Sequence, residues 1–208
     1  MKNQKTSDLV QLSLFVAIIV LMAITPFLGY IPLGFTRATI IHVPVIIGSI
    51  ILGPKKGAFL GFIFGLTSLL NNTFNPTVTS FVFSPFYSLG SYSGNFASLI
   101  ICFVPRILVG VVPYFVYRAL TKKMANDAAP LIIAGVCGSL TNTLLVMNMI
   151  YLFFGSQYAA AKSMSVDVLY GAILGVIGIN GVPEAIVAGV LTVAICKALL
   201  KYTKLRTA

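Results

Sequence analysis

The chain reads as long apolar blocks separated by short polar clusters. Leu9 to Thr36, Ala128 to Ala161 and Ala185 to Cys196 contain no charged residue at all. A bilayer requires blocks of this length, with each backbone group satisfied inside its own helix. They predict an all-α integral membrane protein of six transmembrane helices, at 9–29, 38–53, 57–71, 97–120, 130–154 and 179–200. The second and third are shorter than the roughly 20 residues of a perpendicular span, so they need flanking loop residues or shelter behind neighbours. Pro26, Pro32, Pro44, Pro54, Pro113, Pro130 and Pro183 mark ends or kinks, and "LGPKKG" at 52–57 reads as a tight turn. The connections 72–96 and 155–178, after helices 3 and 5, are long and lie on one side, where specificity is expected.

One stretch departs from the apolar pattern. "SLLNNTFNPTVTSFVFSPFYSLGSYSGN", residues 68–95, has no Asp, Glu, Lys, Arg or His, yet is crowded with Asn, Thr, Ser, Tyr and Phe. It is too polar for a lipid-facing helix and too aromatic for a simple linker.

Composition agrees with the membrane reading: 58% of residues are hydrophobic and 9% charged, with only four acidic residues among 208. Mean hydropathy is +1.00. So few charges cannot cover a soluble surface. The first block extends beyond a signal-peptide core and lacks an obvious cleavage site, so it is expected to stay. The formal charge of +10 is unevenly placed. Lys2 and Lys5, Lys55 and Lys56, Arg118 with Lys122 and Lys123, and Lys197, Lys201, Lys204 and Arg206 all fall on one side of a six-span bundle. Only Arg37, Arg106 and Lys162 lie elsewhere. By the positive-inside rule both termini are cytoplasmic, and the charge meets anionic lipid rather than nucleic acid. Cys102, Cys137 and Cys196 are far apart inside apolar segments, which implies neither disulfides nor a metal site.

Small residues predict the helix contacts. Gly57, Gly61 and Gly65 form a double GxxxG, Gly171 and Gly175 a second pair, and Gly181, Ala185 and Gly189 a ridge on the last span. Such spacing lets backbones approach closely. Ser13 and Ala17 make a weaker step on a first helix whose remaining face is large and apolar, so this step can serve an external partner.

Among candidate site residues Arg106 is the most informative. Only eleven residues separate it from Arg118, so helix 4 must carry its guanidinium within the membrane. A charge at that depth costs at least about 2.5–3.5 kcal/mol and usually faces a cavity or a partner. Two readings are open: a clasp with Glu184, the other intramembrane charge, or a water-accessible pocket in which Arg106 binds a substrate carboxylate. Pro105 is expected to kink the helix and free backbone groups beside it. Asn142, Asn148 and Asn180 are costly in hydrocarbon and should point inward, for interhelical bonding or ligand contact. His42 reads as a satisfied interior histidine rather than a metal ligand. Arg37 is expected to snorkel to headgroups, with a second anion contact as the other reading. There is no paired-carboxylate, HExxH, GxSxG or phosphate-cradling motif, so no catalysis and no cofactor are implied. Asn71 in "NNT" matches a glycosylation sequon too short to carry weight.

Taken in order, "RATIIHVPVIIGSIILGPKKGAFLGFIFGLTSLLNNTFNPT", "VPRILVGVVPYFVYRAL", "GSLTNTLLVMNMIYLFFG" and "NGVPEAIVAGVL" resemble the substrate-binding S subunits of energy-coupling factor vitamin transporters, most of all the pantothenate type of Gram-positive bacteria. The resemblance covers essentially the whole chain. It implies a multi-pass protein of the bacterial cell membrane that binds a vitamin near its outer face. It also implies docking on a transmembrane coupling protein of the EcfT type bound to two ATP-binding cassette ATPases, the S subunit toppling to deliver its ligand. By the resemblance Asn71, Asn72, Asn75, Arg106, Asn142, Asn148, Asn180 and Glu184 become pocket candidates, and the family's AxxxA docking step falls on Ser13 and Ala17, with Ser replacing the first Ala. The neutral stretch then reads as a gate: its Asn and Thr groups face a polar vitamin, and Phe74, Phe81, Phe83 and Phe86 close over it. A neutral ligand such as hydroxymethylpyrimidine or pyridoxine, with Arg106 paired to Glu184, is the alternative within the family. A standalone secondary transporter is the alternative outside it, although neither an inverted repeat nor a mid-depth ion site is evident.

Overall fold

The apolar blocks fold as helices that pack along their small residues. The computed structural model describes residues 2–25, 29–33, 36–124 and 126–207. Helix α1 (Lys2–Ile24) leads to a hairpin of β1 (Tyr30–Leu33) and β2 (Thr36–Thr39), then α2 (His42–Leu52) and α3 (Pro54–Phe74). A 3-10 turn at Ser80–Val82 and a small hairpin, β3 (Ser88–Leu89) with β4 (Tyr92–Ser93), cross to α4 (Phe96–Val109), α5 (Val112–Thr121) and α6 (Ala128–Ala161). The chain closes with α7 (Val166–Val176), a π turn at Ile177–Gly181 and α8 (Val182–Thr207). Among the described residues five segments are long and apolar enough to cross a membrane: Thr6–Ile24, Pro54–Phe74, Phe96–Thr121, Ala128–Ala161 and Val166–Lys201. The sixth apolar helix, His42–Leu52, is shorter.

The glycine ridge on α3 is a packing surface. A methyl group on Gly57 would strike the Gly110 carbonyl, one on Gly61 the Arg106 carbonyl, and one on Gly65 the Phe103 ring. Backbone thus lies directly on backbone from α3 to α4, which side chains larger than hydrogen would prevent. The last span behaves alike: Gly181 meets Thr143, and Gly189 meets Val136 and Ile132 on α6. Gly171 and Gly175 have open space around them instead.

Four features differ from the expected spans. The fourth helix breaks at Gly110 and Val111, where Gly57 presses on the chain and Pro113 begins α5. The stretch 155–178 is mostly helix rather than loop. Phe154 has non-helical φ/ψ (−132°, 15°), but the alanine-rich turn beyond it restores the helix to Ala161. Ser163 then turns the chain at φ 55° into α7. The stretch 72–96 gains a hairpin turned by Gly90 at φ 58°. Finally α2, with eleven residues, is about 16 Å long and reaches only half-way through a bilayer of about 30 Å. The β1–β2 hairpin continues the chain from its N-terminal end.

Two apolar clusters fill the bundle. One lies toward the end that carries the termini and joins Phe15, Ile41, Ile46, Phe64, Val109, Leu131 and Ala188. The other lies toward the 72–96 segment and joins Phe81, Ile101, Val146, Ile150, Phe154 and Leu169.

The ridge makes a sharp prediction. Gly61→Ala should destabilise the protein by about 1–3 kcal/mol through overpacking, whereas Gly175→Ala should be neutral or slightly stabilising, since alanine is the better helix former. Thermal unfolding in detergent checks both.

Candidate functional site: a polar layer between two apolar clusters

Each helix that passes from one apolar cluster to the other does so through polar residues. On α4 the step from Ile101 to Val109 crosses Arg106. On α6 the step from Ala134 to Val146 crosses Ser139, Asn142 and Thr143. From Ile173 on α7 to Ala188 on α8 it crosses Asn180 and Glu184. Arg106, Asn142, Thr143 and Asn180 are buried, and Glu184 is half-buried. Of the eight pocket candidates, Arg106, Asn142, Asn180 and Glu184 thus share one layer.

Arg106 is 6% exposed. Pro105 explains how its charge is held. A helical proline has no N–H to give the carbonyl four residues back, and that carbonyl belongs to Ile101. The Arg106 Nη1 donates to it instead, at 2.6 Å. This bond draws the guanidinium toward the helix N-terminus, where it lies 5.2 Å from the Phe83 ring centroid and 5.6 Å from that of Phe64. Both fall within cation–π range. Phe83 is therefore the one phenylalanine of the neutral stretch that reaches the guanidinium among the described contacts. Glu184 has a different contact: its Oε1 accepts from the Thr39 backbone N–H at 2.7 Å, and the same strand packs on the π turn that carries Asn180. Arg37 is in β2 too, but its side chain lies outside the described part.

The remaining pocket candidates are placed apart. Asn72 donates to the Ser68 carbonyl at 2.9 Å and accepts from the Ser80 hydroxyl at 2.8 Å, so it buttons the 3-10 turn to α3. Thr73 and Ser84 share a 2.7 Å bond beside it, and Ser98 donates to the Phe81 carbonyl at 2.8 Å from α4. Asn75, exposed, donates to the Asn71 side chain at 3.3 Å. Asn148 is half-buried, six residues from Asn142 and so on another face of α6, where its amide donates to the Leu144 carbonyl at 2.7 Å. Phe81 is fully buried against Phe154, centroids 5.8 Å apart, as a plug of the second cluster. Phe74 and Phe86 are exposed. Ser13 and Ala17 are exposed on α1, on a face shared with Leu9, Val10, Leu14 and Leu21. No group of three His, Cys, Asp or Glu side chains among the described residues is placed to hold a metal ion.

His42, Ser139 and Thr143 join the layer without having been singled out as pocket residues from sequence. The signal was present on α6: Ser139, Asn142 and Thr143 repeat at three and four residues, which puts them on one helix face.

Comparison with known proteins shows the family of the chain. The family model described as "ECF transporter, substrate-specific component" matches residues 7–196. The chain belongs to that family. It is a transport component, not an enzyme, and works in a bacterial cell membrane with membrane coupling and ATPase subunits. Two relatives align over nearly their whole length with this substrate-specific component. The pantothenic acid transporter PanT of Lactococcus lactis subsp. cremoris is 44% identical over 97% of each chain. The pantothenate transporter PanT of Leuconostoc mesenteroides is 32% identical over 96% of this chain and 95% of its own.

The Glu184 contact predicts how the hairpin is held. Glu184→Ala should speed hydrogen exchange at the Thr39 amide about tenfold or more, since a bond to a charged acceptor is lost. Glu184→Gln, which keeps an acceptor, should change it less; exchange mass spectrometry on the hairpin peptide measures both.

Proposed function

We propose that this substrate-specific component binds pantothenate at the polar layer and hands it to a coupling protein of the EcfT type driven by two separate ATPases. The observation that carries the reading is full-length similarity, at 44% identity, to a pantothenic acid transporter. The buried guanidinium supports it chemically. Pantothenate ends in a carboxylate, and Arg106, already sheltered by Phe64 and Phe83, offers a fork of donors that matches one. Phe83, Asn142 and Asn180 share that environment and serve as further contacts. Asn71, Asn72, Asn75, Asn148 and Glu184 act around the site, Asn72 and Glu184 by tying down the segments that cover it.

The basic clusters support an orientation with both termini in the cytoplasm and the 72–96 and 155–178 segments toward the outside. Delivery uses α1. Ser13 and Ala17 are small and exposed, and the surrounding face is large and apolar, which suits docking on another membrane protein and toppling within lipid.

Two measurements test this. Arg106→Ala should weaken pantothenate binding about tenfold to a hundredfold, the worth of a charged hydrogen bond pair, with Arg106→Lys in between. Unchanged calorimetric Kd values would overturn the assignment. Ala17→Phe should leave Kd unchanged yet abolish uptake by proteoliposomes that contain the coupling protein and ATPases; normal uptake would move the docking face elsewhere.

A further inference from the structure

Buried polar atoms without partners are rare, and each one in a folded protein calls for a reason. His42 is 1% exposed, and neither ring nitrogen makes a hydrogen bond of good geometry, although the ring lies against the Thr39 main chain. Asn142 is 8% exposed, and its Oδ1 likewise has no donor. Buried hydroxyls such as Ser139 can fall back on the carbonyl one turn earlier in their own helix. An imidazole and a carboxamide oxygen have no such refuge.

The packing of α2 on α6 places these two residues at the same level of the bundle. A methyl group on Gly138 would meet the Ile46 side chain, so α2 and α6 touch there. The helices run in opposite directions, since α2 starts and α6 ends toward the 72–96 segment. One turn from Ile46 in that direction is His42, and one turn from Gly138 is Asn142. Arg106 belongs to the same polar layer, on α4, a helix that packs against both α2 and α6.

We propose that His42 is a ligand-contacting residue which, with Asn142, recognises the hydroxyl end of the substrate while Arg106 takes the carboxylate. This rests on the pantothenate reading above. A neutral imidazole offers one donor and one acceptor, and Asn142 Oδ1 a further acceptor. That set complements hydroxyl groups, each able to give and take one bond, and pantothenate carries two hydroxyls at the end remote from its carboxylate.

His42→Phe separates this role from a structural one. The ring volume is kept and the unpaired nitrogens are removed, so the ligand-free Tm should stay the same or rise. Pantothenate affinity should fall about tenfold or more, and His42→Gln, which keeps a donor and an acceptor, should recover part of it. The inference is overturned if His42→Phe lowers the ligand-free Tm by more than about 4 °C or binds pantothenate within twofold of the unaltered chain. Failure of the unaltered chain to bind pantothenate would sink the substrate assignment instead, and the Tm comparison still decides whether the histidine merely supports the fold.

Discussion

A guanidinium buried among apolar helices has to be provided for, and much of the architecture follows from how Arg106 is accommodated. An intramembrane charge survives only with partners. Here the helix supplies one itself, because Pro105 leaves the Ile101 carbonyl without its usual donor and the arginine side chain takes it. Two aromatic faces shelter the rest of the group.

The backbone beneath the arginine is fixed as firmly as its head group. Gly61 rests on the Arg106 carbonyl, with Gly57 and Gly65 fixing the helix one turn to either side. Because the apolar residues of α4, of α6 and of the α7–α8 segment are divided between two clusters, their polar residues lie between the two. The short α2 stops at that depth and leaves the half nearer the 72–96 segment to a hairpin, which Glu184 holds through the Thr39 amide. A rigid inner body and a cover fastened by a few hydrogen bonds suit a component that must admit and release a small molecule.

Much of this was legible in the sequence. The helical blocks, the α3 glycine ridge and the buried Arg106 follow from hydropathy and the cost of charge in lipid, and these are strong constraints. In the sequence the 155–178 segment reads as a long connection between spans. Tertiary packing of Leu169 and Ile173 into the second cluster makes it helix. The neutral stretch reads as a gate in the sequence, but the pairings that fasten it, such as Asn72 with Ser80 and Ser98 with the Phe81 carbonyl, are revealed by no local pattern. Phe74, Phe81, Phe83 and Phe86 are alike in sequence. Only Phe83 reaches the guanidinium, Phe81 plugs the core and the other two are exposed. The lone His42 beside Pro44 reads in the sequence as a satisfied interior histidine, whereas in the fold neither ring nitrogen has a hydrogen-bond partner of good geometry.

The central claim is that Arg106 holds the carboxylate of the substrate. Dipolar-recoupling solid-state NMR on the protein in lipid, with nitrogen-labelled arginine guanidinium groups and carboxylate-labelled pantothenate, measures that contact directly. The expected result is strong dephasing of the carboxylate signal, at the distance set by N–O bonds of about 2.7–2.9 Å, and its loss in Arg106→Lys. A bound carboxylate signal without dephasing, or dephasing that persists in Arg106→Lys, would contradict it.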